Sequence, residues 1–309
     1  MPPLLEGKTV VVTGAGGFIG PFVVHALLMQ QARVLALMGA PGQTTCPPLP
    51  EVVPVIGDIT DAAVISDLVD GSDLVVHLAG QASVRESFAQ SNEYARVHVC
   101  GTATVLEACR KRGVKRFVYV SSAQVYGRPQ TELVREDNRL EARSPYGAAK
   151  IAAEKLVEAV AYGAGMRAAV LRAFSIYGPG LSSQSVLGTI LRQVQSSDCV
   201  ELQDLGPVRD YCYVEDLADA IILSCTASFE GSCTMNIGTG IGTSVGQLAR
   251  LVVERFGLDL PIREVKQKSV APDLDRLVAD PSLARQVLGW DAKTPLRLGI
   301  KKTIHSSAA

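Results

Sequence analysis

The sequence predicts an α/β protein: a doubly wound parallel sheet followed by a smaller C-terminal domain. Three observations predict it. The β-branched run Lys8–Thr13 leads directly into Gly14-Ala15-Gly16-Gly17-Phe18-Ile19-Gly20, and helical periodicity then covers Phe22–Gln31. Short apolar runs go on alternating with helical stretches as far as Arg167–Arg172, as βαβ units with right-handed crossovers require. Beyond Gly180 the pattern loosens into shorter elements and more loops, which suits a smaller lid. Together these describe a Rossmann domain carrying an appended unit.

The first strand, turn and helix form the context in which a glycine-rich loop binds a dinucleotide. Gly14 permits a tight turn, Gly17 lets backbone approach a pyrophosphate, and Gly20 lets helix and strand pack closely. The helix N-terminus offers N–H donors to phosphate. Arg33–Met38 reads as strand two. Its end, Met38-Gly39, has neither the acid that usually holds a ribose 2′-hydroxyl nor a cation for a 2′-phosphate. The Pro/Gly/Thr-rich stretch Ala40–Pro50 reads as an exposed loop. Val52–Ile56 is strand three, and a helix is expected to open in Gly57–Asp61. There Asp58 is either a helix cap or a partner for an adenine amino group. Leu74–His77 is strand four, ending in Leu78-Ala79-Gly80, where small residues let a cofactor lie against the backbone. A long helix ends near Gly113, and Arg116–Val120 is strand five, running into Ser121-Ser122-Ala123-Gln124-Val125-Tyr126-Gly127.

Tyr146 and Lys150 follow, one helical turn apart behind Ser144-Pro145, a good helix entry. Residues at i and i+4 share a face, so phenol and ammonium can meet. A free tyrosine ionises near pH ~10 and a nearby cation lowers that value, so Lys150 is expected to make Tyr146 a usable base.

Bulk properties bound the rest. The 309 residues suffice for one large domain with an appendage or for two domains. A 47% hydrophobic, 20% charged composition is that of a globular protein. A net charge of −1 offers no field for nucleic acid and no polybasic membrane anchor. The seven cysteines are scattered without a C-x-x-C pair and the four histidines are isolated, so no metal site is expected and the thiols suit a reducing compartment. With no apolar leader and no run long enough to span a bilayer, a cytoplasmic location is expected.

With these motifs in order, the chain resembles the extended short-chain dehydrogenase/reductases, in the nucleotide-sugar epimerase/dehydratase branch typified by UDP-glucose 4-epimerase. The resemblance spans nearly the whole chain. It rests on the glycine loop, the Tyr146/Lys150 pair, His77–Arg85, Gly101-Thr102, Val118–Ser122, Arg209-Asp210-Tyr211 with Val214–Leu217, Asn236–Gly240 and Leu288-Gly289-Trp290. It implies a Rossmann domain of residues 1–174, with 212–238 returning to it, and a nucleotide-sugar domain of 175–211 and 239–309. It implies Ser122, Tyr146 and Lys150 as catalytic residues, and NAD as cofactor. The cofactor site would hold Gly14, Gly17, Phe18, Ile19, Gly20, Asp58, Ile59, Leu78, Ala79 and Gly80, together with Tyr146 and Lys150. The substrate, a UDP-sugar, would meet Gln81, Ser83, Arg85, Gln124, Ser175, Val186, Arg209 and Arg276. Arg209 suits a diphosphate, which its rigid fork can grip bidentately. The bland alternative is a surface ion pair with a neighbouring acid. A homodimer through a two-helix face is also implied.

Several positions depart from the family's pattern. His98 and Ser175 each replace a usual asparagine. The usual arginine before the acid of the last substrate loop is Val270, ahead of Asp273, with Arg276 as a possible substitute. Ala123 and Gln124 stand where 4,6-dehydratases of the family carry an Asp-Glu pair. Neither exchanges a proton near neutrality, so the ordinary 4,6-dehydratase route is not expected. Two outcomes of transient C4 oxidation remain: 4-epimerisation, and elimination across C5–C6 to an exo-glycal, the reaction of a UDP-hexosamine 5,6-dehydratase. A silent nucleotide sensor would not need Ser122, Tyr146 and Lys150 together. A simple NADPH carbonyl reductase would not need Arg209 and the enlarged C-terminal region.

Overall fold

The computed structural model describes residues 3–39, 52–265 and 275–306; the loop expected at Ala40–Pro50 and the positions Val270 and Asp273 lie outside them. Seven parallel strands form the main sheet in the order β10-β6-β5-β4-β1-β2-β3. They are β1 (Thr9–Thr13), β2 (Arg33–Leu37), β3 (Val53–Val55), β4 (Leu74–His77), β5 (Arg116–Ser122), β6 (Arg167–Ala173) and β10 (Ser232–Ile237). Chain direction across the sheet reverses between β1 and β4, and the carboxyl ends at such a switch are where ligands of these sheets bind. Strand alternation feeds two cores. Val10 and Val12 face α1 (Gly20–Met29) and α8 (Val214–Thr226), whereas Val11, Val75 and Phe117 face α2 (Ala62–Leu68), α5 (Thr102–Arg112) and α6 (Pro145–Ala164). Each such side chain contributes about 1.5–3 kcal/mol on burial.

Local chemistry sets the boundaries. α1 begins at Gly20, two residues before the expected Phe22, because Pro21 fits a first turn whose N–H has no helical partner. α2 is capped by Asp61, whose carboxylate accepts from Ala63 and Val64 N–H; Asp58 is therefore not the cap. β5 runs past Val120 because Ser121 and Ser122 still pair with Arg172 and Ala173. The long helix before Gly113 is broken into α3 (Val84–Ala89), α4 (Ser91–Ala95), a π-helical turn at Arg96–Gly101 and α5. α6 starts where Ser144 accepts from Gly147 N–H with Pro145 in the first turn, and ends at left-handed Gly165.

In the C-terminal part, β9 (Val208–Tyr213) pairs in parallel with β7 (Ser175–Tyr177) and β13 (Arg276–Leu277), and antiparallel with β11 (Gly242–Ser244). A second pair joins β8 (Val200–Leu202) to β12 (Ile262–Glu264). Helices α7 (Val186–Ser196) and α9 (Val245–Arg255) close a separate core around Leu187, Ile190, Leu248 and Val252. Buried Asp210 ties β9 to the turn after β10, accepting from the N–H groups of Thr239, Gly240 and Ala279 and from the Thr239 hydroxyl. Helix α10 (Ser282–Leu288) precedes Trp290, whose indole donates to the Asp216 carbonyl, and α11 (Leu296–Ser306) follows. No described helix is long and apolar enough to cross a membrane.

Candidate active site

The glycine loop lies at the carboxyl end of β1. Gly14 adopts φ +70°, and a Cβ there would stand 2.7 Å from the Ala79 nitrogen, so the loop rests directly on the end of β4. A Cβ on Gly20 would collide with the Ala15 carbonyl oxygen, which is the close packing of helix on turn expected of that position. At Gly17 the nearest atom, the Gly14 oxygen, would be 3.3 Å away. No side chain caps α1 at Ile19, so its first turn can present backbone N–H groups to an anion. Phe18 and Ile19 are partly buried beside it. This cradle fits the diphosphate of a dinucleotide.

Asp58 lies on the loop after β3, two strands from β1 in the sheet. Both its oxygens accept from Arg96, at 3.1 Å each, and one also accepts from Thr60. The Arg96 and Thr60 hydrogen bonds pull its pKa down to about 2. Ile59 is buried, its methyl occupying the place of a side chain on Gly101.

Ser122, Tyr146 and Lys150 come together where the end of β5 meets the start of α6. Gly147 allows that approach, since a Cβ on it would stand 2.8 Å from the Gln124 carbonyl. Tyr146 is 7% exposed, and its ring lies edge-on to Tyr94 and His98. Lys150 is 4% exposed; its Nζ donates to the Val120 carbonyl at 2.8 Å and sits 4.7 Å from the Tyr119 ring centroid. Burial lowers the lysine pKa to about 7, against an upward pull from Glu154. Burial raises the Tyr146 pKa more than hydrogen bonding to Ser122 lowers it. The expected depression of the tyrosine by the lysine is thus not found: burial of the phenol is the largest influence on it.

Behind them runs a polar chain that motif reading missed. Thr13 donates to His77 Nδ1 at 2.6 Å, His77 Nε2–H donates to Thr102 at 2.9 Å, and the Thr102 hydroxyl donates to the His98 carbonyl. Burial, with the charge of Lys150, lowers the His77 pKa to about 3, so the ring is neutral as this pattern requires. His98 donates Nε2–H to the Gln81 carbonyl at 2.9 Å, and its ring fills the space a side chain on Gly80 would need. A histidine in place of asparagine therefore ties the π turn to the loop after β4. Glu154 and Arg172 form a second buried group, with Nη2–Oε2 at 2.8 Å. The only trace of Glu154 in the sequence is its place one turn beyond Lys150.

The residues expected on the substrate side are less gathered. Gln81 is partly buried, whereas Arg85 is exposed on α3. Ser83 caps α3 through its hydroxyl, accepting from Glu86 N–H, and accepts from Tyr94 OH through its carbonyl. Gln124 borders Ser122. Ser175 opens β7 just beyond the β6 end, where Ala173 pairs with Ser122. Val186 begins α7 and is 43% exposed. Arg209 and Arg276 occupy adjacent strands, Arg276 pairing with Val208 and Leu277 with Arg209. The acid beside Arg209 in the chain, Asp210, faces the Thr239–Gly240 backbone instead.

Residues 10–238 match the NAD dependent epimerase/dehydratase family. The chain is 30% identical over 320 residues to a UDP-glucose 4-epimerase of Azospirillum brasilense, covering 96% of this chain and 91% of that one. It is 31% identical over 306 residues to a dTDP-glucose 4,6-dehydratase of Mycolicibacterium smegmatis, covering 95% and 91% respectively. Among solved structures, MoeE5 in complex with UDP-glucuronic acid and NAD superposes with a TM-score of 0.89 at 32% identity, over 97% of this chain and 99% of that one.

Proposed function

We propose, for a chain that belongs to the NAD dependent epimerase/dehydratase family, that the reaction is 4-epimerisation of a UDP-hexose or UDP-hexosamine through transient oxidation at C4. The observation that carries this reading is the meeting of Ser122, Tyr146 and Lys150 at the carboxyl edge of the sheet, beside the glycine cradle.

NAD is the cofactor of this enzyme family, and when bound it supplies the hydride acceptor that later returns the hydride to the sugar. Gly14, Gly17 and Gly20, with Phe18, Ile19 and the α1 N-terminus, would hold its diphosphate. Asp58 and Ile59 would hold its adenine side, and Leu78, Ala79 and Gly80 would line its nicotinamide side. Tyr146 takes the O4 proton as the carbonyl forms and gives it back on reduction. The Ser122 hydroxyl steadies the charge that develops on O4. Lys150 would grip the nicotinamide ribose and supply positive charge beside the phenol. Arg209 and Arg276 would hold the nucleotide diphosphate, and Gln81, Ser83, Arg85, Gln124, Ser175 and Val186 would bound the sugar.

Ala123 is 3% exposed and Gln124 is an amide. Neither offers a carboxyl for removing a C5 proton or protonating a leaving O6, which favours epimerisation. Incubation of the enzyme with UDP-glucose and UDP-N-acetylglucosamine in heavy water tests the reading. A mass-neutral C4 epimer without solvent deuterium is expected. Loss of one water would replace epimerisation by a dehydration, with an exocyclic 5,6-ene in the product assigning 5,6-elimination, and stoichiometric NADH with a released oxidised sugar would defeat both.

The same reading divides the chain into an NAD domain of residues 1–174 with 212–238, and a nucleotide-sugar domain of 175–211 and 239–309. It takes the enzyme to be cytoplasmic, which scattered thiols support. It also takes the enzyme to be a homodimer through the outer faces of α5 and α6, where Tyr162 is 89% exposed.

A further inference from the structure

We propose that Glu154 is a positioning residue for this site: it pins the end of β5 through Ser121 and neutralises Arg172, leaving Lys150 as the net charge beside Tyr146. Tyr146, Lys150 and Glu154 stand at i, i+4 and i+8 on one stripe of α6. Glu154 is 0% exposed. Ser121, next to Ser122, donates to its Oε1 at 2.5 Å, and Arg172 on β6 reaches both its oxygens through Nε and Nη2. The remaining Arg172 bonds go to the Tyr126 hydroxyl and the Glu136 carbonyl. One carboxylate thus joins the helix that carries Tyr146 and Lys150 to the strand that carries Ser122.

The groups around Lys150 define the charge balance. Glu154 and Tyr146 face it from α6, Tyr119 from β5, His77 from β4 and His98 from the π turn. Both histidines are held neutral by burial. Glu154 and Arg172 cancel, and Glu154 is the group that draws the Lys150 pKa upward against its burial. Replacing the carboxylate by an amide leaves two buried cations and makes the ammonium easier to deprotonate. Removing Arg172 instead leaves an uncancelled anion and makes deprotonation harder.

The test is a carbon-13 NMR titration of protein labelled at lysine Cε, with the Lys150 signal assigned by its loss in Lys150→Met. Glu154→Gln should lower the Lys150 midpoint by about one pH unit or more, and Arg172→Gln should raise it by a similar amount. Glu154→Asp, which keeps the charge, should stay within about half a unit of wild type. In turnover, the whole pH profile of kcat/KM should move to lower pH in Glu154→Gln; a purely structural role would lower its height without moving it. An unmoved midpoint in either charge-removing variant, or an equal fall in Glu154→Asp, overturns the proposal. The two opposed variants keep the test decisive if one of them does not fold. The proposal rests on the hydride-transfer reading only for its kinetic consequence. The titration needs neither sugar nor cofactor, so its failure is distinct from a failure of that reading.

Discussion

The Lys150 ammonium donates to the carbonyl of Val120 at 2.8 Å, which fixes it at the end of β5 one turn along α6 from Tyr146. The contact explains how a nearly inaccessible lysine is tolerated, since its charge is met by a strand-end carbonyl and by the face of Tyr119. Burial still gives the cation a stability cost that depends on pH.

That cost has a definite sign. Folding lowers the Lys150 pKa from 10.5 to about 7. Between those values the unfolded chain holds one more proton than the folded one, so stability from this group rises with pH across the window. Below about 7 both states are protonated and the slope vanishes. Wild type should therefore gain stability relative to Lys150→Met between about pH 7 and about pH 9 in urea titrations. Parallel stability profiles for the two proteins would contradict the assignment.

Tyr146→Phe removes one hydroxyl and little volume. It should bind NAD within about threefold of wild type and lose about 10²–10⁴-fold in kcat. Ser122→Ala should lose less, about 10–10²-fold, because Tyr146 still reaches O4. Calorimetric NAD affinity beside steady-state rates checks both; a large loss of NAD affinity in Tyr146→Phe would move the residue from proton transfer to cofactor holding.

Two glycine substitutions should act in opposite directions. A methyl on Gly20 meets the Ala15 carbonyl, whereas one on Gly163, inside α6, meets nothing within 4 Å. Gly20→Ala should destabilise by about 1–3 kcal/mol and weaken NAD binding. Gly163→Ala should stabilise by about 0.5–1 kcal/mol through helix propensity alone. Thermal melts with and without NAD measure both effects, and a Gly20→Ala protein of normal stability would remove the steric reason for that glycine.

What could be read from the sequence was what neighbours in the chain decide. The glycine turn, the Ser144-Pro145 helix entry and the Tyr146/Lys150 spacing depend on residues within one or two turns, and each stands where it was expected. The choice of Asp61 over Asp58 as cap was harder, because a guanidinium 38 residues away claims Asp58. Glu154 with Arg172, and His77 with Thr13 and Thr102, were invisible for the same reason: strand pairing brings together residues far apart in the chain. The direction of the Tyr146 pKa shift is not legible in the spacing, which reports proximity, whereas burial is a property of the finished fold.

The central claim is that C4 is oxidised and then reduced again by the same hydride. UDP-glucose carrying deuterium at C4 tests it most directly, with NMR and mass analysis of the product made by the NAD-loaded enzyme. Epimerisation by this route predicts a UDP-hexose inverted at C4 with deuterium still on that carbon, and no such product from Tyr146→Phe on the same timescale. Inversion with loss of the C4 deuterium to solvent, or equal rates in Tyr146→Phe, would contradict the account.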